Sequence, residues 1–196
     1  IARRQRQMCI RDRFMTGPID VERIFLVGLS GAGKSITAER VAKFLGWLST
    51  DSDSEIILRE GRSIESIFND DGEDVFRQTE RQVIQEMSER PFQVVALGGG
   101  AFVDPTTRNS LLKIGLVVWR DVDPLEAARR LENSLTTEPR PLLGNNPAKR
   151  LQALQKLRMP SYKHAQCRID TNGLTTDEVA NAVVTAAKAT QTTAHI

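Results

Sequence analysis

The octapeptide GLSGAGKS, from Gly28 to Ser35, decides the fold, because it matches the pattern G-x-x-x-x-G-K-[ST] of a phosphate-binding loop. Its glycines let the backbone turn tightly and direct N–H groups into a concavity that accepts phosphate. The apolar residues 24–27 precede the loop and predict a buried strand. After the loop, one face of a helix is predicted by the spacing of Ala38, Val41, Ala42 and Leu45. Strand, loop and helix therefore follow in the order that a nucleotide phosphate site requires.

Two side chains of this loop have predicted roles of their own. The Lys34 ammonium is expected to reach the β- and γ-phosphates of a nucleotide, and the Ser35 hydroxyl to bind Mg²⁺. The helix that follows directs its unpaired N–H groups and the positive end of its dipole at the same phosphates. We expect the nucleotide to be bound by six consecutive residues, namely Gly31, Ala32, Gly33, Lys34, Ser35 and Ile36.

Length and composition favour one α/β domain in a reducing compartment. The chain has 196 residues, of which 40% are hydrophobic. Cys9 and Cys167 are far apart and form no C-x-x-C, so we expect neither a disulfide framework nor a zinc site, and a cytoplasmic location. No apolar run approaches the ~18 residues of a membrane-spanning helix, so we expect no membrane partner.

The net charge of +2 is unevenly distributed along the chain. Residues 1–13 contain five arginines and one acid and contribute +4, which leaves −2 for the remainder. A near-neutral remainder lacks the basic footprint of a nucleic-acid-binding protein, so we expect no nucleic-acid partner. We predict a basic extension over residues 1–19, either disordered or foreign to the native protein, a single domain over residues 20–190, and a tail over residues 191–196.

Predicted strands and helices alternate along the whole domain. Such alternation favours an α/β fold in which a central parallel sheet of about five strands lies between two layers of helices. Ligands of such sheets bind at the carboxyl ends of the strands. Residues 132–147 are rich in Ser, Thr, Pro, Gly and Asn and lack periodicity, which predicts a mobile lid.

The predicted third strand, residues 92–97, runs directly into Gly98-Gly99-Gly100. Many phosphate-loop proteins have a magnesium-binding acid at the end of a strand beside the loop. Here that acid must come from elsewhere, and Asp51, at the end of the second strand, is the candidate. The glycine turn leaves space for a small molecule, and its N–H groups are suited to hydroxyls or a carboxylate.

Asp51 and Asp53 are two residues apart, so they share a face if the chain is extended there. One of them is suited to a magnesium-bound water, and the other to accepting the proton of an acceptor hydroxyl. The alternative is that both are merely a polar strand end or a helix N-cap, because a helical pattern follows.

Arginines stand at three places where an anion could be bound. Arg77 lies near the apolar face of a predicted helix, Arg140 lies within the predicted lid, and Arg158 lies near a helix end. A guanidinium group binds carboxylate or phosphate through two parallel hydrogen bonds. Each arginine alone is better explained as a solvated surface group, whereas the convergence of several implies an anionic acceptor. Glu80, three residues after Arg77, could hold its guanidinium in place.

Seven of these features, in this order, resemble the shikimate kinase family over about 170 residues. The matching pieces are residues 28–35, 51–53, 61–68, 72–80, 98–100, Arg140-Pro141-Leu142-Leu143, and Arg158 with Tyr162. The resemblance implies a P-loop fold of the nucleoside-monophosphate-kinase kind, and a monomeric enzyme. It also implies transfer of the γ-phosphate of ATP to the 3-hydroxyl of shikimate, with Mg²⁺ as cofactor, in aromatic amino-acid and chorismate biosynthesis.

The resemblance further implies a role for each matching residue. Asp53 contacts the substrate hydroxyls and is the base, so that Lys34, Asp53 and Arg140 form the catalytic set. Shikimate is bound by Asp53, Arg77, Gly98, Gly99, Gly100 and Arg158. Magnesium is bound by Ser35 and Asp51, the latter through water. Arg130 stacks on adenine, and Arg140 moves with the lid toward the phosphates.

The sequence departs from the family pattern at three places, none of which touches the acceptor site. Arg120 stands where the family usually has an apolar residue, and residues 171–174 lack an arginine that some members have near the nucleotide. The segment between Arg130 and Arg140 is slightly long. Two alternative functions stay open, a related kinase for gluconate or quinate and a non-catalytic regulatory module that retains the fold.

Substitution of Arg140 by Ala tests the predicted lid. The contact of Arg140 with the phosphates is expected only when the lid closes, so the change should lower kcat more than it weakens shikimate binding. Steady-state kinetics with ATP and shikimate measure both quantities. A loss confined to shikimate affinity contradicts the lid role.

Overall fold

The computed structural model describes residues 21–133 and 146–190, which contain a five-stranded parallel sheet. The strands are β1 Arg23–Val27, β2 Leu48–Asp51, β3 Gln93–Ala96, β4 Leu116–Asp121 and β5 Cys167–Asp170. Their order across the sheet is β2-β3-β1-β4-β5, and every neighbouring pair is parallel. The predicted α/β class with a parallel sheet of about five strands is confirmed.

Helices connect the strands on both sides of the sheet. The helices are α1 Lys34–Leu45, α2 Ser52–Glu60, α3 Ile64–Asp70, α4 Gly72–Ser88, α5 Pro105–Ile114, α6 Pro124–Glu132, α7 Pro147–Tyr162 and α8 Thr176–Ala189. A short 3₁₀ turn, Ala101–Val103, precedes α5. Among the described residues no helix is long and apolar enough to cross a membrane.

The core is divided by the sheet into two layers. Phe25 and Val27 point to the side covered by α2 to α7, whereas Ile24 and Leu26 point to the side covered by α1 and α8. Successive side chains of a strand point to opposite faces, and here both faces are buried. That is why β1 reads as an uninterrupted apolar run rather than an alternating one.

The topology places β1 at the centre of the sheet, between β3 and β4. Phe25 pairs with Val95 on one side and with Val117 on the other. The phosphate loop after β1, the glycine turn after β3 and the end of β4 therefore meet at one edge. Parallel α/β sheets bind their ligands at this edge.

Two element boundaries differ from the sequence-based expectation, and both bear on the site. Asp53 does not share a strand with Asp51, because the strand ends there and Asp53 lies in the first turn of α2. Asp51 is the N-cap of that helix, and its Oδ1 accepts from the N–H groups of Asp53 at 2.9 Å and Ser54 at 3.3 Å. The argument from a shared strand face was therefore wrong, although the two residues remain adjacent.

Helix α7 continues to Tyr162, four residues past Arg158, which the sequence placed near a helix end, and it contains Pro160. The helix survives the proline because the Lys163 N–H donates to the Met159 carbonyl at 3.0 Å and closes the last turn. Arg158 and Tyr162 consequently lie one turn apart on the same helix face. The predicted lid beyond Asn133, Arg140, the basic extension and the tail lie outside the described residues.

Candidate active site

The phosphate loop has the backbone conformation that its glycines permit. Gly31 and Gly33 have φ angles of 79° and 73°, and Gly33 is the N-cap of α1 without a side-chain cap. The Lys34 ammonium donates to the carbonyls of Gly28 at 3.0 Å and Leu29 at 2.9 Å. The loop thus combines a helix N-terminus with a cation held across its own backbone, which suits a phosphate chain.

The remaining loop residues have different environments. Ala32 is fully buried, and its N–H donates to the Leu29 carbonyl at 3.1 Å. Ile36 lies on the first turn of α1 with 52% of its surface exposed. Ala32 therefore stabilises the loop from within, while Ile36 lies beside it at the surface.

Ser35 and Asp51 come together although 16 residues separate them. The Ser35 hydroxyl donates to Asp51 Oδ2 at 2.5 Å, while Asp51 Oδ1 caps α2. One hydroxyl and one carboxylate are oxygen ligands, and Mg²⁺ is usually bound by one or two protein oxygens, phosphates and waters. The pair fits that ion, and within residues 21–133 and 146–190 no cluster of three or more acidic, His or Cys side chains offers an alternative.

Charged side chains from three helices, α2, α4 and α7, converge on the turn Gly98-Gly99-Gly100. A Cβ atom at Gly98 would lie 2.6 Å from Asp53 Oδ1 and 2.8 Å from Glu80 Oε1. At Gly100 it would lie 2.6 Å from Arg77 Nη1, and at Gly99 2.9 Å from Arg158 Nη1. Glycine is required here because any side chain would displace the charged groups. The predicted Asp53, Arg77 and Arg158 are thus brought together around this turn.

Two side chains that the sequence did not identify as site residues hold the turn. The Gly98 N–H donates to Ser52 Oγ at 2.8 Å, and the Tyr162 hydroxyl donates to the Gly99 carbonyl at 2.6 Å. The N–H of Gly98 is therefore used within the protein, so Gly98 contributes space to the site rather than a donor. Burial raises the pKa of Tyr162 to about 12, which keeps its hydroxyl a donor. Tyr162 belonged to a matched motif, whereas Ser52 had no signal beyond its place between two aspartates.

Arg77 is oriented by two glutamates of its own helix. Its Nη1 donates to Glu80 Oε2 at 2.7 Å, and its Nη2 to Glu73 Oε1 at 3.1 Å. Burial raises the pKa of Glu80, and Arg77 opposes that rise. Burial alone would lower the pKa of Arg77, but the carboxylates of Glu80 and Glu73 outweigh it and the pKa rises. The guanidinium is therefore charged and fixed in direction, as the sequence-based role of Glu80 requires.

A cavity of about 330 Å³ opens beside the glycine turn. Arg77, Arg158 and Gly100 line it, together with Arg81 and Arg150, two arginines without a predicted role. Arg158 is 5% exposed, so its charge meets little bulk solvent. Asp53 approaches the turn at Gly98 and does not line this cavity. The wall has four arginines and three acids, Glu73, Glu80 and Asp104, so its formal charge is +1 (4 − 3), which suits a small anion.

The other side of the phosphate loop is also cationic. Arg130 donates from Nε to Glu126 Oε1 at 2.8 Å and is partly buried. Hydrogen bonds from Arg129 and Arg130 lower the pKa of Glu126 to about 2. Arg120 is buried beneath the loop. Its burial, and to a smaller extent its repulsion by Arg130, lowers the pKa of Arg120 to about 10. The sequence identified Arg120 only as a departure from a pattern.

The two halves of the site touch each other. A Cβ atom at Gly99 would lie 3.5 Å from both the Gly28 carbonyl oxygen and the Ser30 amide nitrogen of the phosphate loop. A phosphate-binding loop thus adjoins a turn that is faced by two carboxylates, Asp53 and Glu80, and by the guanidinium groups of Arg77 and Arg158. Such an arrangement can hold a phosphoryl donor on one side and a small anionic hydroxyl compound on the other.

Comparison with known proteins agrees with this arrangement. The family model described as shikimate kinase matches residues 30–188. A shikimate kinase of Caulobacter vibrioides is 38% identical over 170 residues, which cover 86% of this chain and 84% of that protein. One of Synechococcus elongatus is 45% identical over 147 residues, covering 74% and 75%. The solved shikimate kinase from Acinetobacter baumannii in complex with shikimate aligns with a TM-score of 0.80 and 34% identity, covering 89% of this chain and 97% of that one.

Substitution of Ser52 by Ala tests the support of the glycine turn. It leaves the buried N–H of Gly98 without a partner, which should lower the free energy of unfolding by about 1–3 kcal/mol. Ser54→Ala, on the exposed side of the same helix, is the matched control and should change it by less than about 0.5 kcal/mol. Urea unfolding measures both, and equal effects contradict the role of Ser52.

Proposed function

Because the chain belongs to the shikimate kinase family, we propose that its site transfers the γ-phosphate of ATP to the 3-hydroxyl of shikimate. The observation that carries this proposal is the convergence of Asp53, Arg77 and Arg158 on a glycine turn beside the phosphate loop. Shikimate has hydroxyls for a carboxylate base and a carboxylate for arginines. A carboxylate base faces one end of this turn and guanidinium groups face the other.

The donor half consists of the loop and its cations. Residues 31–36 bind the phosphates through backbone N–H groups, and Lys34 neutralises charge on the phosphoryl group as it moves. Arg130 is proposed to contact adenine and Arg140 to close over the phosphates. The left-handed Gly33 at the start of α1 supports the loop assignment, since it directs the helix N-terminus at the phosphates.

Ser35 and Asp51 would hold Mg²⁺, in keeping with a kinase that uses ATP and a divalent metal. The 2.5 Å contact of their oxygens supports this assignment. When bound, the ion supplies positive charge to the phosphate oxygens. Asp51 keeps its orientation because its second oxygen caps α2.

The acceptor half orients shikimate and receives its proton. Arg77 and Arg158 bind the shikimate carboxylate, and the turn from Gly98 to Gly100 lets the ring approach the backbone. Asp53 accepts the proton of the 3-hydroxyl as that oxygen attacks the γ-phosphorus in line with the departing ADP oxygen. The new bond joins the 3-oxygen to phosphorus, and the bond between phosphorus and ADP breaks. A cytoplasmic monomer remains the expectation for this enzyme.

Asp53→Asn tests the base. The amide keeps the shape of the side chain but cannot accept the proton, so kcat should fall at least about 100-fold while ATP affinity stays within about 2-fold. A coupled assay of ADP release with ATP, magnesium and shikimate measures turnover. Asp74→Asn, exposed on α4, is the control and should retain full activity. Absence of shikimate-dependent ADP release by the wild type contradicts the proposed reaction, whereas unchanged turnover of Asp53→Asn removes only the base role.

Glu80→Gln tests the orientation of Arg77. The change removes a buried charge-assisted hydrogen bond, so KM for shikimate should rise about 10-fold with kcat nearly unchanged. Glu73→Gln affects the same guanidinium from an exposed position and should change KM by less than about 2-fold. Equal changes in the two variants, or a fall in kcat alone, contradict this assignment.

A further inference from the structure

Arg120 is a strand residue at the base of the phosphate loop. It lies one residue before the end of β4, the strand that pairs with β1, and is 3% exposed. Its carbonyl oxygen would lie 2.4 Å from a Cβ atom at Gly28, the first residue of the loop. The backbone of Arg120 is therefore fixed against the first residue of the loop, and its side chain starts beside that residue.

The Arg120 guanidinium lacks a partner among the residues that the structure describes. Its Nε and Nη1 atoms are buried without a hydrogen bond, and it enters no ion pair there. The adjacent acid, Asp121, accepts instead from Arg168 at 2.6 Å and 3.0 Å. A buried charge without a partner strongly disfavours the folded state, so its retention calls for an anion that residues 21–133 and 146–190 do not supply.

The guanidinium faces the nucleotide loop. A Cβ atom at Gly33 would lie 2.9 Å from Arg120 Nη1 and 3.6 Å from Nη2. Gly33 begins α1 without a side-chain cap, so the positive end of that helix lies at the same place. Arg130 adds a further positive charge close enough to lower the pKa of Arg120. Three positive features thus meet at the loop, and a phosphate group is the anion that the loop motif selects.

We propose that Arg120 is an additional nucleotide-binding residue, whose guanidinium binds a phosphate group of the nucleotide held by residues 28–35. This inference rests on the proposed function, because it takes the loop to be the site of ATP. The fork of a guanidinium donates two hydrogen bonds to phosphate oxygens, so binding satisfies the orphaned nitrogens and neutralises the buried charge together. Arg120 therefore makes the ligand-free chain less stable and the nucleotide complex tighter.

The affinity test compares Arg120→Leu with the wild type by calorimetric titration of ADP, and by competition with inorganic pyrophosphate, both with magnesium. The affinity for each ligand should fall about 10- to 100-fold, the range of a charge-assisted hydrogen bond. Shikimate affinity should stay within about 2-fold. Arg168→Leu, an exposed residue of the neighbouring strand, is the matched control and should bind ADP like the wild type.

A thermal melt of the same variants separates this role from a structural one. Arg120→Leu should raise the Tm of the ligand-free chain, because it removes an unpaired buried charge, and should reduce the Tm increase that ADP produces. A lower ligand-free Tm together with unchanged ADP affinity overturns the proposal. Tighter ADP binding by Arg120→Leu also overturns the proposal, because Arg120 would then obstruct the site. A variant that loses affinity for ADP but not for pyrophosphate overturns it as well.

A second variant and the binding behaviour of the wild type distinguish the role of Arg120 from the proposed function. If Arg120→Leu does not fold, Arg120→Lys takes its place in the titration. Lysine lacks the two-pronged guanidinium, so the affinity for ADP should fall about 3- to 10-fold. An affinity equal to that of the wild type overturns the proposal. A wild type that binds neither ADP nor pyrophosphate contradicts the proposed function itself. A wild type that binds both, beside an Arg120→Leu variant that binds them equally well, overturns the role of Arg120 alone.

Discussion

The active site depends on one steric constraint, the absence of side chains at Gly98, Gly99 and Gly100. Charged atoms of four residues lie within 3 Å of the positions that Cβ atoms would occupy, so a single methyl group would displace a functional side chain. The turn can receive these groups because it leaves the sheet at β3, between β1 and β2. The phosphate loop reaches it from one side and α2 from the other, while α4 and α7 close it from above the sheet.

The site also maintains an excess of positive charge that the protein only partly compensates. Arg77 is fixed by two glutamates and keeps its charge at a small cost in free energy. Arg120 is buried without such a partner within the described part of the chain, which lowers its pKa to about 10 and leaves it protonated at neutral pH. A buried cation that pairs with a carboxylate of the protein stabilises the fold, whereas one without such a partner is available to bind an anionic ligand. Phosphates and a carboxylate are the anions that complete this site.

Sequence reasoning succeeded where a short motif determines its own geometry. The loop from Gly28 to Ser35 and its flanking strand and helix were predicted correctly, because glycine conformations and apolar spacing are local properties. It failed where a polar contact decides a boundary. Asp51 accepts from the N–H groups of Asp53 and Ser54 and so caps α2, which places Asp53 in the helix rather than in the strand. The role of Ser52 depends on a contact 46 residues away.

The sequence by itself determined the chemistry, since the phosphate loop, the paired aspartates, the glycine turn and the arginines each have a residue-level meaning. Only the tertiary structure decided which of these groups share a site. The strand order brings the turn after β3 against the loop after β1, and helix packing orients Arg77 and Arg158 toward it. The tertiary structure also revealed that Arg120 is buried beneath the loop and that its Nε and Nη1 atoms have no hydrogen-bond partner among the described residues. Both properties arise from packing, which no local sequence pattern encodes.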